Sequence, residues 1–384
     1  MLYDKLTGYA ACDTYPMHMP GHKRNAKLLA TGQSDGRRTP GLPYEIDITE
    51  VHGFDDLHDP HGVLRETAEL ASQIYGSKKT FMLVNGSTVG ILAAVGALAA
   101  RGDRILIAGS CHRSVNNAAW LFGLDPVYLT PETDEATGIA CSIDPADIES
   151  ALYSDPEIRL VVLTSPSYEG VISNVRSIAE IARRRNTPFI VDAAHGAHLG
   201  LSPGFPESPA RAGADVVVMS LHKTLPALTQ CSLLHVCGER ADAGAIAHML
   251  SVLQTSSPSY VLMASIDRCL RLLMSDGDRL FGEYKRNLDN FGREAGELKN
   301  LTVVCHGADS VAAHPGFFAF DPGKLVIITK STALSGIMLM DILREEYRIE
   351  LELAREDYAI AMTSICDSAE GFRRLAGALA AIDR

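Results

Sequence analysis

The sequence predicts an α/β fold, with a mostly parallel sheet covered by helices and a small α+β domain after it. Short apolar runs rich in valine, isoleucine and leucine alternate with helical patterns from about residue 62 onward. Such alternation is typical of parallel strands that are buried on both faces. Beyond residue 301 strands and helices follow a different order, which indicates a second, smaller unit.

The elements of the larger unit are expected in chain order. An amphipathic helix at 63–75 precedes a buried strand at 79–84, and a strongly apolar helix follows at 88–100. Further strands are predicted at 104–108, 126–129, 160–164, 189–192, 216–219 and 232–236, with helices such as 175–185 between most of them. In such a sheet a ligand binds beyond the carboxyl ends of the strands.

Four segments make up the predicted domain organisation. Residues 1–60 are rich in Gly, Pro and His and form an N-terminal arm with a short helix near its start, and residues 61–245 form the large domain. Residues 246–300 form a helical connection, and 301–384 form the small domain. The small domain should contain strands at 302–305, 324–329, 349–353 and 359–364, and helices at 333–345 and 369–381.

Composition excludes several classes of protein. The 384-residue chain is 46% hydrophobic with a formal charge of -12, which argues against a nucleic-acid partner. Its eight cysteines contain no CxxC pair, a pattern expected of reduced thiols. The first residues lack the pattern of a secretory leader, and the apolar segments are too short to cross a bilayer. We therefore expect a cytoplasmic protein.

Two residues at successive strand ends carry the most chemical information. Asp192 ends the apolar run 188–192, and Lys223 follows the apolar run 214–219 within Ser220-Leu221-His222-Lys223. Pyridoxal 5'-phosphate (PLP) chemistry requires a lysine that forms a Schiff base with the aldehyde and a carboxylate that keeps the ring nitrogen protonated. A structural salt bridge for Asp192 is the alternative, but the pair predicts a PLP site.

Nearby motifs offer groups for the phosphate and the ring. Gly86, Ser87 and Thr88 join a strand to a helix, where free N–H groups attract a phosphate, although hydroxyls there are also ordinary helix caps. Ser220 and His222 can donate to the same phosphate. His112 follows another strand end and could stack on the ring opposite the methyl of Ala194, or could simply lie on the surface at a helix start.

No metal site is expected. Three histidine pairs have suggestive spacing, but no carboxylate or cysteine cluster completes any of them and HExxH is absent. These pairs are His18 with His22, His58 with His61, and His195 with His198. The GxGxxG, GxSxG and Walker motifs are also absent.

Taken together, these motifs resemble the Orn/Lys/Arg decarboxylase family of fold-type-I PLP enzymes. The Ser-x-His-Lys element with Gln230 seven residues later is the most specific, and supporting stretches lie at 19–23, 55–60, 81–90, 191–198, 254–267 and 324–379. The chain departs from the family at Ala193, Pro226 and Cys231, and it is a short form, without the N-terminal wing and C-terminal tail of longer members.

The resemblance implies roles for individual residues. Lys223 would hold PLP, Asp192 would bind its ring nitrogen, and His195 would lie near its ring oxygen. Ser87, Thr88, Ser220 and His222 would bind the phosphate, and His112 would stack on the ring. Thr255 or Ser256 would reach the cofactor of a partner subunit in a homodimer or higher homo-oligomer.

Three functions remain open on the sequence. The first is decarboxylation of arginine, lysine or ornithine, which feeds polyamine biosynthesis, with Glu350 or Glu352 binding the distal cation. The second is transamination or another PLP reaction, which needs an arginine for the α-carboxylate; Arg344, Arg348 and Arg355 are the candidates. The third is a catalytically silent PLP-binding or regulatory protein.

Overall fold

A computed structural model describes residues 1–11, 43–307 and 309–383. The greater part of the predicted N-terminal arm, including the stretch 19–23 and the pair His18 and His22, lies outside the described residues. The described part of the arm contains the expected early helix, α1 (Leu2–Ala11). It packs on a long later helix through buried Leu2 and Leu6.

A seven-stranded sheet forms the centre of the fold. Its strands are β1 (Lys79–Leu83), β2 (Arg104–Ala108), β3 (Asp125–Leu129), β4 (Ile158–Thr164), β6 (Phe189–Asp192), β7 (Val216–Ser220) and β8 (Ser232–Val236). The order across the sheet is β1-β8-β7-β6-β4-β2-β3. Only β8 runs against its neighbours β1 and β7, while β7, β6, β4, β2 and β3 pair in parallel.

Helices cover both faces of this sheet. In order they are α2 (Val63–Tyr75), α3 (Gly86–Leu98), α4 (Arg113–Phe122), α5 (Pro145–Ser154), α6 (Val175–Arg184), the short α7 (Leu221–Thr224), α8 (Ala243–Leu253) and α9 (Tyr260–Ala295). Alternate residues of one strand belong to opposite cores: Val216 and Val218 pack with α3, α4 and α8, whereas Val217 and Met219 face α2, α6 and α9. This period of two explains why β7 is apolar at successive positions before Ser220.

A second sheet follows α9. Its four antiparallel strands are β9 (Thr302–Val303), β11 (Lys324–Ile328), β12 (Leu353–Ala354) and β13 (Tyr358–Met362), with helices α10 (Gly336–Glu345) and α11 (Ala369–Ile382). The strand order is β12-β13-β11-β9, and we call this the C-terminal sheet. The fold class is therefore the expected one, an α/β unit with a smaller α+β unit after it. The proposed domain boundaries stay a prediction.

The structure corrects several boundaries and adds one connection. The strand expected at 349–353 is shorter and later, since β12 consists of two residues only. Just before it, the amide of Glu352 donates to the carbonyl of Ile360 in β13, and the residues before Glu352 form a loop. The strand expected at 302–305 ends at Val303. A two-stranded sheet that the sequence did not predict pairs β5 (Val171–Ile172) with β10 (Ala319–Phe320), joining the large unit to the segment before β11.

A buried hydrogen bond strengthens this connection. His198, in the loop after β6, lies 2.9 Å from the Oδ1 of Asp321, and both side chains are almost fully buried. Burial raises the pKa of the Asp321 carboxyl, but His198 and Lys324 lower it by more, so the net shift is downward. The pair holds the start of β11 against the strand ends of the large sheet.

Among the described residues, no helix is long and apolar enough to cross a membrane.

Gly90 should be required for the contact of α3 with the sheet. A Cβ there would lie 2.6 Å from Leu83 Cδ1 and 2.9 Å from Val218 Cγ1. We expect Gly90→Ala to lower the free energy of unfolding by about 1 kcal/mol, because overpacking outweighs the better helix propensity of alanine. Gly377→Ala in α11, where a Cβ meets nothing within 4 Å, should raise it by about 0.5 kcal/mol. Urea titration measures both, and an increase for Gly90→Ala would contradict the packing.

Asp321→Asn should lower the free energy of unfolding by about 2 kcal/mol at pH 7, because it removes a buried charge that His198 stabilises. A carboxyl with a lowered pKa stabilises the fold above its unfolded pKa and loses this effect as the pH falls through its folded pKa. The difference between variant and wild type should therefore shrink below about pH 4. Asp276→Asn, which breaks an exposed pair with Arg279, should cause no measurable change in urea denaturation.

Candidate active site

Three strand ends meet at one edge of the large sheet. In the parallel register Thr164 at the end of β4 lies beside Asp192 at the end of β6, and Asp192 lies beside Val218 of β7. Because α7 begins directly after β7, Lys223 lies one helical turn beyond that edge. The sheet therefore brings the predicted carboxylate and lysine to the same place.

Asp192 is a buried carboxylate with few partners. Its side chain is 3% exposed, and its Oδ1 accepts a hydrogen bond of 3.1 Å from the amide of Ala194. Burial raises the pKa of the Asp192 carboxyl, and the charges of Lys223 and His112 offset only part of that shift. A protonated ring nitrogen is the kind of group that would stabilise the carboxylate here.

Lys223 belongs to a chain of three basic groups. Its Nζ lies 3.1 Å from the Nε2 of His195, whose Nδ1 lies 2.8 Å from the Nζ of Lys324. Burial lowers the pKa of the Lys223 amine, and Asp192 and Glu352 oppose this shift. Burial also lowers the pKa of His195 far below its usual value, and both lysines lower it further. His195 is thus a neutral ring between two amines.

Tyr168 and Glu352 form one wall of the site. The ring of Tyr168 lies against that of His195, with centroids 4.7 Å apart, and the Nζ of Lys324 lies 5.3 Å from the Tyr168 centroid. Tyr168 donates a hydrogen bond of 2.5 Å to the Oε1 of Glu352, which precedes β12 of the C-terminal sheet. This contact places a carboxylate of the C-terminal unit beside the lysines.

The turn at the start of α3 lies close to the segment after α7. The amide of Gly86, whose φ is 74°, donates to the carbonyl of Gln230, itself at a φ of 79°. Ser87 and Thr88 follow in the first turn of α3, and no side-chain cap occupies its start. The amide of Thr255 donates to Asn85 at 3.1 Å, so Thr255 lies beside the turn of its own chain, and Ser256 follows as an exposed residue.

Ser220 and His222 point to a need for a further ligand. Ser220 is fully buried and its Oγ has no hydrogen-bond partner among the described residues, which is costly for a hydroxyl. A phosphate oxygen would satisfy it. The Nδ1 of His222 donates to the carbonyl of Cys231 at 3.0 Å, so only its Nε2 remains for a phosphate. These donors fit the phosphate group of PLP.

His112 and Ala194 flank the edge of the sheet. His112 precedes α4, and its Nδ1 accepts from the amide of Ser114 at 3.2 Å, so it caps the helix as the alternative interpretation expected. Burial lowers the pKa of its ring, which the charge of Asp192 partly opposes. Ala194 is buried two residues after Asp192. The stacking of the His112 ring on a cofactor stays a prediction.

The structure separates the two candidate carboxylates for a distal cation. Glu350 is exposed and makes a two-pronged ion pair with Arg344, which also binds Asp341. Glu352 instead faces Tyr168 and acts electrostatically on Lys223. Of the arginine candidates, Arg344 is held by these surface pairs and the carbonyl of Arg348 accepts from Arg374. Arg355 contacts Tyr358. The pKa of the Tyr358 hydroxyl is raised to about 12, mainly by burial, and the charge of Arg355 opposes this shift.

The histidine pairs inside the described residues do not form metal sites. His58 bonds to the carbonyl of Thr255 and His61 pairs with Asp59, while His195 faces two lysine amines that would repel a cation. One other group, Cys305, Asp309 and His314, has ligand atoms within 4.8 Å of one another. Both nitrogens of His314 already bond to the carboxylates of Asp309 and Asp134.

Sequence reasoning missed Tyr168 and Lys324. Tyr168 lies in an irregular loop after β4, where no periodic pattern marks it. Lys324 did carry a signal: it is the charged first residue of an otherwise apolar strand, and it is 1% exposed. A lysine in a fully buried strand must meet a polar group inside the protein.

The chain is similar to known proteins over most of its length. The family model described as Orn/Lys/Arg decarboxylase, major domain, matches residues 1–326. An uncharacterized protein of Bacillus subtilis, YaaO, is 38% identical over 360 residues, covering 94% of this chain and 72% of that protein. An arginine decarboxylase of Bacillus subtilis is 31% identical over 382 residues, covering 99% of this chain and 76% of the relative.

The fold is also that of solved enzymes. The crystal structure of the Francisella novicida lysine decarboxylase LdcF superposes with a TM-score of 0.84 at 18% identity, covering 99% of this chain and 59% of that one. This chain therefore spans less than two thirds of the LdcF chain. The family and the fold are both those of enzymes that use PLP, and the buried edge built by Asp192, Ser220 and Lys223 fits that cofactor. The chain belongs to the Orn/Lys/Arg decarboxylase family, a group of PLP-dependent lyases.

Proposed function

We propose that this protein removes the α-carboxylate of a basic amino acid, arginine, lysine or ornithine, as CO₂ and releases the corresponding amine. Relatives named arginine decarboxylase and lysine decarboxylase support the substrate class. The observation that carries the proposal is the meeting of three groups at one edge. Asp192 and Glu352 both act electrostatically on Lys223, although the three residues come from distant parts of the chain.

The residues divide the chemistry among them. PLP, when bound, supplies an electrophilic aldehyde and a ring that withdraws the electron pair left by the carboxylate. The Asp192 carboxylate would keep the proton on the ring nitrogen, and the burial that raises its pKa would make this contact strong. Lys223 would hold the cofactor through Nζ and, once displaced by the substrate amine, would carry a proton to Cα.

The phosphate would be held at the other end of the edge. The orphan Oγ of Ser220, the hydroxyls of Ser87 and Thr88, and the free amides at the start of α3 supply donors. His222 would add a charged donor from Nε2 if a phosphate held it protonated, because Nδ1 already donates to Cys231. Gly86 and Ala194 would shape the space around the cofactor.

Glu352 would select the substrate. It lies on the C-terminal side of the site, beside Tyr168 and within electrostatic range of Lys223, so it faces the region that a bound side chain would enter. Arginine, lysine and ornithine all carry a cation at the end of the side chain, and a carboxylate attracts it.

One observation, the position of Arg355, favours transamination as a second candidate reaction. Arg355 acts electrostatically on both Tyr168 and Tyr358. A cation there could hold the α-carboxylate of the substrate and prevent its loss. We rank this reaction second, because Arg355 is exposed and the named relatives are decarboxylases.

The assembly proposed for the protein is a homodimer or higher homo-oligomer. Thr255 and Ser256 would reach a partner's cofactor only if the loop beside Asn85 lay at the subunit boundary. Size-exclusion chromatography with light scattering measures the oligomeric state.

Purified protein with PLP should release CO₂ and amine from at least one of arginine, lysine and ornithine. Lys223→Ala should lower the rate by roughly 1,000-fold or more, because both cofactor attachment and proton return are lost. Lys330→Ala removes an exposed lysine and should leave the rate unchanged. Amine is measured by chromatography and CO₂ by a coupled assay.

Two other outcomes reject the proposal in different ways. Conversion of the cofactor to its pyridoxamine form, with release of a keto acid, identifies a transaminase. Retention of PLP with no product from any of the three amino acids identifies the catalytically silent alternative.

Glu352→Gln should raise the KM for the preferred substrate roughly 10-fold and change kcat less, because it removes a charge-assisted contact with the distal cation. Glu350→Gln is the matched control, two residues away but held by Arg344, and should change KM less than twofold by the same reasoning. Equal effects of the two substitutions would assign the distal contact elsewhere.

A further inference from the structure

Lys324 has an unusual position for a lysine. It is the first residue of β11, all five residues of which are buried, and it is 1% exposed. Gly170 packs against its stem, since a Cβ at that glycine would lie 2.8 Å from the Lys324 Cβ. A long cationic side chain usually extends its end into water. Here the end is enclosed, and its hydrogen bond of 2.8 Å goes to the Nδ1 of His195.

Hydrogen bonding limits the protonation states of this chain of groups. An ammonium group only donates, whereas a neutral amine can also accept. A neutral imidazole has one donor and one acceptor nitrogen. If Lys223 is charged, it donates to the Nε2 of His195, and the Nδ1 proton must then face a neutral Lys324. If Lys324 is charged, the pattern reverses and Lys223 is neutral.

We propose that Lys324 is the proton acceptor for Lys223, with the imidazole of His195 as the bridge, so that the two buried amines share one positive charge. In this step the Nε2 of His195 takes a proton from the Nζ of Lys223. The Nδ1 of the same ring gives its proton to the Nζ of Lys324. The lone pair freed on Lys223 is the one that must attack the PLP aldehyde. Atoms and charge balance without another reactant.

The surroundings support a shared charge. Burial lowers the pKa of Lys324 to about 8, with Asp321 opposing this shift and Lys223 adding to it. Burial lowers the pKa of Lys223 as well. The ring between them has a pKa far below its usual value, so it can bridge without storing the charge itself. The charged and titratable groups that act on the three are Asp192, Glu169, Glu352, Asp321, His112 and His222.

Lys324 touches no reacting atom, so it is a positioning residue that acts through His195. The inference rests on Lys223 being the nucleophile of the proposed function. Its test uses the protein without cofactor or substrate, and therefore gives a result whether or not the protein proves to be a decarboxylase.

The experiment measures how fast Lys223 reacts with an amine-specific reagent, acetic anhydride at trace concentration, as a function of pH, with peptide mapping. Only the neutral amine reacts. Lys324→Met leaves Lys223 without its acceptor, so labelling of Lys223 at pH 8 should fall roughly 10-fold and its titration should move to higher pH. Lys324→Arg places a permanent cation that donates to the Nδ1 of His195. The ring proton then lies on Nε2 and faces a neutral Lys223, so labelling at pH 8 should not fall. Lys330→Met is the control for an exposed lysine and should match wild type.

Folding of each variant is checked by circular dichroism and thermal unfolding. A folded Lys324→Met with an unchanged Lys223 profile overturns the proposal. The wild-type protein supplies a second test that needs no variant at position 324. Nitrogen NMR, with His195→Gln to assign the signal, should show a neutral His195 ring at pH 6. A doubly protonated ring at that pH leaves no acceptor for Lys223 and also overturns it.

Discussion

The parallel register of β4, β6 and β7 is the constraint on which the site depends. It sets Thr164 beside Asp192, and Asp192 beside Val218, so that the strands end at one edge. A shift of one residue in β6 would turn the Asp192 side chain to the opposite face of the sheet. The register is held by apolar side chains on both faces, so strands that are largely apolar before their ends position this polar site.

Burial then gives these polar groups their properties. Asp192 has its pKa raised and Lys223, His195 and Lys324 have theirs lowered, in each case because water is excluded. Each shift favours the uncharged form. Each of these groups is costly to charge on its own. A complementary ion, such as a cofactor ring or its phosphate, would stabilise their charged forms.

The sequence predicted the part of this arrangement that local patterns encode. The bounds of β2, β6 and β8 match the apolar runs, and Asp192 and Lys223 could be placed at strand ends because parallel strands share one edge. Contacts between distant segments could not be predicted. Tyr168, Lys324 and Glu352 meet His195 or one another across long stretches of chain, and no periodicity encodes those pairings. The choice between Glu350 and Glu352 likewise required the position of Arg344.

The two units of the fold supply different parts of the site. The large sheet supplies Asp192, Ser220 and Lys223, whereas Lys324 and Glu352 come from the C-terminal sheet and its loop. The pairing of β5 with β10 and the bond between His198 and Asp321 fix the two units to each other next to His195. Because Asp321 is three residues before Lys324 and also lowers the cost of charging it, the contact that joins the units also tunes the amine. The geometry that holds the C-terminal unit in place is thus coupled to the protonation of the proposed nucleophile.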